Sequence, residues 1–426
     1  MYKSILKNKS FLGYWGSTTL MRLASNMLQF ALAIFVLDLT GSALIFSTVL
    51  SAIIFPRIIG TPIAGYLADY KDCLRILKLG ALGLTALMLS FFLIHTLITP
   101  LNISLIYVLV ICLELCETLI SASEMKAVIC IVDENQIAAA SKLSSLDDGI
   151  VEILSPVIAG FAYGLFGIQA VLLATLVSEL VAFLLTLMLR DRAKNMTENP
   201  GVMNKQSLFH EAMTSYKEAI VSLQEYNYVL GVIFFAPLFN FFVSPLFSVT
   251  VPHFIRITTK SSIEIYTAYN LALGIASVVA PFIAMWLIRD KAEHKANLRG
   301  TIIYAFLMLI LSFVTQSFSS IQPATLLSII AGAMVLAVII ITLMSIATTI
   351  TVKTSIPEQV LGRIASIIQL CAIVSTPLGQ LLYGYFADRF PIFLSFACSS
   401  LGLLATYVIM KKTYKKLKRE KQKNGY

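Results

Sequence analysis

Residues 113–119 read LELCETL, which sets two carboxylates, Glu114 and Glu117, one helical turn apart inside a long apolar run. An ionisable side chain at the centre of a bilayer costs about 2.5–3.5 kcal/mol on insertion scales, so each such group requires a partner, a cavity or neutralisation and marks a functional candidate. The same argument singles out Arg57, Glu179, the pair Asp148 and Glu152 at i, i+4, and the set Arg22, Asn26 and Gln29. The i, i+4, i+7 spacing of the last three puts them on one helical face. Glu114, Glu117 and Glu152 form the expected proton-titrating set, with Arg22 and Arg57 as charge partners; a structural ion pair of Glu114 or Glu117 with either arginine is the competing reading. Asp147 and Asp148 are expected in the first turn of a helix capped by Ser144, where acids complement the helix dipole. The second half of the sequence offers neutral groups instead, Asn240, Tyr266, Tyr269, Asn270, Gln369 and Gln380 among many phenylalanines.

The elements that must carry these residues follow from hydropathy. Of the 426 residues 58% are hydrophobic and 13% charged, a balance that marks an integral membrane protein. Twelve apolar runs of about 20 residues are each long enough for a helix to cross the hydrocarbon. They lie near 11–37, 43–68, 76–98, 103–125, 144–166, 168–189, 228–254, 263–288, 300–318, 323–350, 364–387 and 391–410. Lipid offers no partner to a free backbone group and the runs lack period-2 alternation, so they are predicted to be helices.

The first run follows Lys3, Lys7 and Lys9 and reads as a retained anchor rather than a cleaved leader. All but five of the 32 Lys and Arg fall on one side of the predicted spans, which assigns both termini to the cytoplasm of a multi-pass protein in the cell membrane. The net charge of +9 is therefore a topology signal, and no nucleic-acid partner is expected. Eight basic residues between Lys411 and Lys423 suit anionic lipid headgroups. Cys112, Cys116, Cys130, Cys371 and Cys398 fall in or beside spans and Cys73 in a cytoplasmic loop, so no extracellular disulfide is expected. Cys112 and Cys116 read as core residues.

An internal repeat organises the chain. DENQIAAASKLSSL…SPVIAGFAYGLFG, from Asp133, corresponds to PEQVLGRIASII…TPLGQLLYGYFADRF, with small gaps, from Pro357. Six spans plus six is the parallel-repeat plan of transporters with a midplane site between halves. The predicted domains are a six-helix bundle over 1–189, a linker with an amphipathic helix over 190–227, a second bundle over 228–410 and a basic tail over 411–426. Gly160 and Gly164 are expected to permit close helix contact.

GYLADYKDCLR, Gly65 to Arg75, resembles the loop motif of the major facilitator superfamily, and LTGSA (Leu39 to Ala43), FPRIIGTPIAGYLAD (Phe55 to Asp69) and IPEQVLGRIAS resemble its macrolide-efflux branch. The resemblance implies a conformational loop in which Gly65 and Asp69 keep their roles, with Arg75 as the basic member; Tyr70 replaces a basic residue and Asp72 a glycine. Ser155 to Gly160 resembles the span 5 motif of proton antiporters, which gives Pro156 and Gly160 that role and favours export. The span 4 arginine of many drug/proton antiporters has no counterpart, since Leu113 stands there. No phosphate loop occurs, so the cofactor expectation is none, with a proton gradient as the energy source. No metal set or nucleophile motif stands out, and an enzyme is not expected. Together these readings imply a monomeric proton-coupled exporter of amphipathic drug-like molecules. Lipid or lysophospholipid flipping, and a non-transporting receptor or self-protection role, are the alternatives.

Overall fold

The structure is a computed structural model that describes residues 5, 8–58, 60–61, 64, 73–132, 136–189, 227–287, 293–317, 321–355 and 358–423. Among these residues there is no β-strand, and nine helices are long and apolar enough to cross a membrane. The helices are α1 (Lys9–Thr40), α2 (Ala43–Ala52), α3 (Cys73–Leu93), α4 (Ile103–Ile131), α5 (Ile137–Thr186) and α6 (Asn227–Pro245), followed by α7 (Ile263–Leu287), α8 (Glu293–Gln316), α9 (Pro323–Ser355), α10 (Glu358–Arg389) and α11 (Ile392–Lys423). Eleven of the twelve expected spans coincide with described helix nearly throughout, and the second, 43–68, is described as helix over Ala43–Ile58, with 59, 62–63 and 65–68 outside the described residues. Phe166, Phe282, Phe313, Leu97 and Ile98 are each at least 65% exposed, as expected of side chains that face lipid. Residues 190–226 of the expected linker, Gly65 and Asp69 lie outside the described residues, and α11 runs on into the basic stretch as far as Lys423.

Local chemistry fixes where the helices start and stop. Asn8 caps α1, its Oδ1 accepting from the Ser10 and Phe11 amides at 3.0 and 3.3 Å. Gly41 closes the same helix at φ 63°, donating its N–H to the Leu37 carbonyl at 2.8 Å. Spans 5 and 6 both lie within α5, separated at Gly167, whose φ of 73° and ψ of −171° are open to a residue without Cβ. The first helix begins at Ile137, seven residues before Ser144, because Ala138 to Ala140 are strong helix formers and extend it upstream. Asp147 is therefore ten residues inside the helix and not in its first turn.

The chain forms two compact units. Unit 1 comprises Met1–Gly41, Ala52–Gly201 and Ser262–Leu271, and unit 2 comprises Ser42–Ser51, Val202–Ser261 and Ala272–Tyr426. Each unit thus includes a short stretch from the other half of the sequence.

In unit 1, α1 packs along α5, and α3 packs on α4 and α5. The side-chain amide of Asn8 donates to the Ile131 carbonyl at 3.2 Å, and Tyr14 donates to the Glu124 carbonyl at 3.2 Å, which ties α1 to the end of α4. The stretch 262–271 docks on the glycine face of α5: a Cβ on Gly160 would strike the Thr267 side chain, and one on Gly164 would strike Ile263. Tyr266 stacks on Phe30 of α1 with ring centroids 5.3 Å apart.

In unit 2, α8 packs on α9 and α11, and α6 on α10 and α11. Ser400 donates to the Ala305 carbonyl at 2.8 Å, Ser312 to the Phe393 carbonyl at 2.9 Å, and Asn297 to Thr348 at 2.9 Å. The start of α2 docks on α10, where a Cβ on Gly384 would approach the Ala43 carbonyl oxygen to 2.8 Å.

Candidate functional site in the carboxylate cluster of unit 1

Two buried acids of unit 1 carry an arginine each. Glu114 is 3% exposed and receives a two-pronged bond from Arg57, Nε to Oε1 at 2.6 Å and Nη2 to Oε2 at 3.2 Å. The guanidinium lies outward of it, with its side chain 47% exposed, so a fork and a carboxylate close on each other at the edge of the interior. Asp147, 5% exposed, accepts from Arg22 Nη2 at 3.2 Å and from Thr19 Oγ1 at 2.5 Å. An unpaired charge at either place would cost several kcal/mol, which the pairing removes.

Glu117 is held differently. One turn from Glu114 and half-buried, it accepts a short hydrogen bond from Ser25, which in turn accepts from Gln29 Nε2 at 3.1 Å. Among the described residues no cation forms an ion pair with it. Glu114 and, with the opposite sign, Arg57 act electrostatically on Glu117, and Glu117 acts on Glu179. Glu179, in the second half of α5, is 2% exposed, and its Oε2 has no hydrogen-bond partner. The arrangement is a graded set: two acids paired with arginine, one held by the Ser25 hydroxyl, and one buried with an unbonded carboxylate oxygen.

Residues 14–379 match the model of the Major Facilitator Superfamily. The chain belongs to this superfamily. No curated protein sequence matches it. Among solved structures it is similar to a bacterial homologue of the iron transporter ferroportin in an inward-facing state, at 13% identity and a TM-score of 0.67 over 96% of this chain and 98% of that one. It is also similar to a D-xylose–proton symporter, at 11% identity and 0.68 over 96% and 97%. A third, a peptide transporter in complex with sulfate, matches at 13% identity and 0.66 over 97% and 95%. These likenesses show the fold, a multi-pass helical membrane transporter fold.

Within this major facilitator chain the residues expected to act are distributed as follows. In unit 1, Gln29 connects through Ser25 to Glu117, Arg57 pairs with Glu114 and Arg22 with Asp147, while Asn26 and Gln29 are both exposed on α1. Glu152 lies in α5 and Gln369 in α10, with side chains outside the described set. Tyr266 and Tyr269 are 6% and 5% exposed and belong to unit 1 through the stretch 262–271. Asn270 donates to the Tyr266 carbonyl at 2.9 Å and Asn240 to the Ala236 carbonyl at 3.0 Å, so both amides are engaged with their own helices. Arg75 is exposed in the first turn of α3, Pro156 lies inside α5, and Gly160 makes the close contact described above. Cys73 is the first residue of α3 and buried rather than in a loop.

Three participants escaped sequence reading. Ser25 lies at i+3 from Arg22 and i−4 from Gln29, so the helical-face argument already places it with them. Asp147 was legible only as a helix-terminal acid until the upstream helix was known. The third is Asp388 of α10, whose carboxylate accepts from the Ser42 hydroxyl at 2.6 Å, the Ala43 amide at 2.6 Å and the Leu44 amide at 3.1 Å. His253 Nε2 lies 3.7 Å from its Oδ1. A carboxylate 345 residues away in sequence thus supplies the N-cap of α2, and no local pattern announces it.

Proposed function

We propose that the protein is a secondary exporter that moves amphipathic drug-like molecules across the cell membrane by alternating access, driven by a proton gradient with no cofactor. The observation that carries this reading is the contrast inside unit 1. Arg57 and Arg22 are committed to Glu114 and Asp147, which leaves Glu117 bonded to Ser25 alone among the described residues. A carboxylate with a hydroxyl partner can take up or lose a proton without breaking an ion pair, which the other two cannot. Gln29 extends the relay to an exposed edge of α1, where a proton or a cationic ligand group can approach. Competition of one proton with one cationic ligand for Glu117 gives exchange with no further machinery. The fold likeness to a structure described as a proton symporter is in keeping with proton coupling on this scaffold.

In this reading Arg22 and Arg57 hold structural charge pairs, Asn26, Gln29, Asn240, Asn270 and Gln369 offer neutral polar contacts to the ligand, and Glu152 joins Glu117 as a second titrating candidate. Both termini face the cytoplasm, the basic end of α11 lies against anionic lipid, and the working unit is a monomer. The Gly65, Asp69 and Arg75 loop governs the conformational exchange.

The test is proton release from detergent-purified protein on addition of macrolides, lipophilic cations or lysolipids. A ligand of the first two classes is expected to release protons from wild type and not from Glu117→Gln, while Glu114→Gln loses stability first. Release by lysolipids alone would replace drug export with lipid movement. Ligand binding with no proton release would overturn the coupling.

A further inference from the structure

Two thiols meet at one end of unit 1. Cys73 opens α3 and Cys130 is the penultimate residue of α4, and their Sγ atoms lie 3.3 Å apart. Both are thiols rather than halves of a disulfide, Cys73 being 7% exposed and Cys130 partly buried. A disulfide needs its sulfurs at about 2.0 Å, so bonding here asks for a shift of little more than about 1 Å between two helix ends.

We propose that Cys73 and Cys130 are a redox modification site, forming a reversible disulfide when the protein meets a peroxide-class oxidant. Cys130, the more exposed sulfur, attacks one oxygen of hydrogen peroxide; the O–O bond breaks, Cys130 becomes a sulfenic acid, and the first water leaves. The Cys73 sulfur then attacks the sulfenic sulfur, the S–S bond forms, the S–O bond breaks, and the second water leaves. Two thiols and one peroxide become one disulfide and two waters, with two electrons passing to the peroxide. A dithiol reductant returns them by thiol–disulfide exchange. The side concerned is the one that the Lys and Arg distribution assigns to the cytoplasm, where a disulfide is transient and sensing rather than structural.

The position gives the bond its effect. Cys73 follows directly on residues 65–72, and the carbonyl of Ile131, next to Cys130, accepts the Asn8 side-chain amide that caps α1. A bond between the sulfurs therefore fastens the start of α3 to the end of α4 and, through Asn8, to the start of α1.

The experiment counts thiols in purified full-length protein after a short exposure to hydrogen peroxide, under denaturing alkylation, with peptide mass mapping. Wild type has six cysteines and is expected to lose two thiols, to show a Cys73–Cys130 linked peptide, and to regain both with dithiothreitol. Cys73→Ser and Cys130→Ser are each expected to lose no pair, whereas the Cys112→Ser, Cys116→Ser double variant keeps the wild-type response. Wild type that retains all its thiols, a linked peptide involving other cysteines, or cross-linking by copper phenanthroline but not by peroxide would each overturn the proposal. The linked peptide in wild type reads the site directly, so a variant that folds poorly does not decide the outcome.

Discussion

Unit 1 and unit 2 each hold a short stretch from the other half of the sequence, and they hold it by different chemistry. In unit 1 the stretch 262–271 lies on Gly160 and Gly164 of α5, with Tyr266 stacked on Phe30, a contact made of shape and apolar surface. In unit 2 the start of α2 lies on Gly384 of α10, and there Asp388 adds a charge aimed at the α2 amides. The repeat in the sequence produces both, since Gly164 and Gly384 occupy the same place in the aromatic-glycine pairs Tyr163-Gly164 and Tyr383-Gly384. The interiors are graded in the opposite sense. Unit 1 holds two arginine–carboxylate pairs and two further acids, while unit 2 is joined by serine hydroxyls donating to backbone carbonyls and by Asn297 donating to the Thr348 hydroxyl. A repeated backbone plan therefore fixes where helices approach, and the side chains laid on it are free to diverge.

Breaking an ion pair should separate the two interiors most. Arg57→Met strands the buried Glu114 carboxylate and is expected to cost about 3–5 kcal/mol, whereas Arg57→Met with Glu114→Leu should recover most of it. Thermal unfolding of the two variants in detergent checks this, and an equal loss in both would show that shape alone matters there.

Filling the docking glycines comes next. Gly384→Ala sets a methyl against the Ala43 carbonyl, which has no rotamer to yield, and should cost about 1–3 kcal/mol. Gly160→Ala meets the Thr267 side chain, which can rotate away, and should cost less. Hydrogen exchange of the amides in 42–51 and 262–271 reports each separately.

Asp388→Ala removes the cap of α2 and is expected to cost about 1 kcal/mol, seen as faster exchange at Ala43 and Leu44 with no change across 262–271. His253→Gln should have the smallest effect, a few tenths of a kcal/mol, because the 3.7 Å separation from Asp388 adds only a weak attraction to a carboxylate already bonded to three donors.

Much of this protein was legible in advance. The helical spans and the close contacts at Gly160 and Gly164 follow from properties that residues carry alone or with near neighbours: hydropathy, helix length and the absence of a Cβ. The membrane sharpens that legibility, because it leaves a backbone no choice but the helix. Sequence also singled out the charges within the spans, since Arg22, Arg57, Glu114, Glu117 and Glu179 stand out against an apolar background whatever their partners. Tertiary structure alone decided the partners. Arg57 took Glu114 across 57 positions, Arg22 took Asp147 across 125, and Asp388 capped a helix 345 positions away. Coulombic and hydrogen-bonding preference is the same for any acid within reach, and reach is set by how the helices pack, which no local pattern encodes.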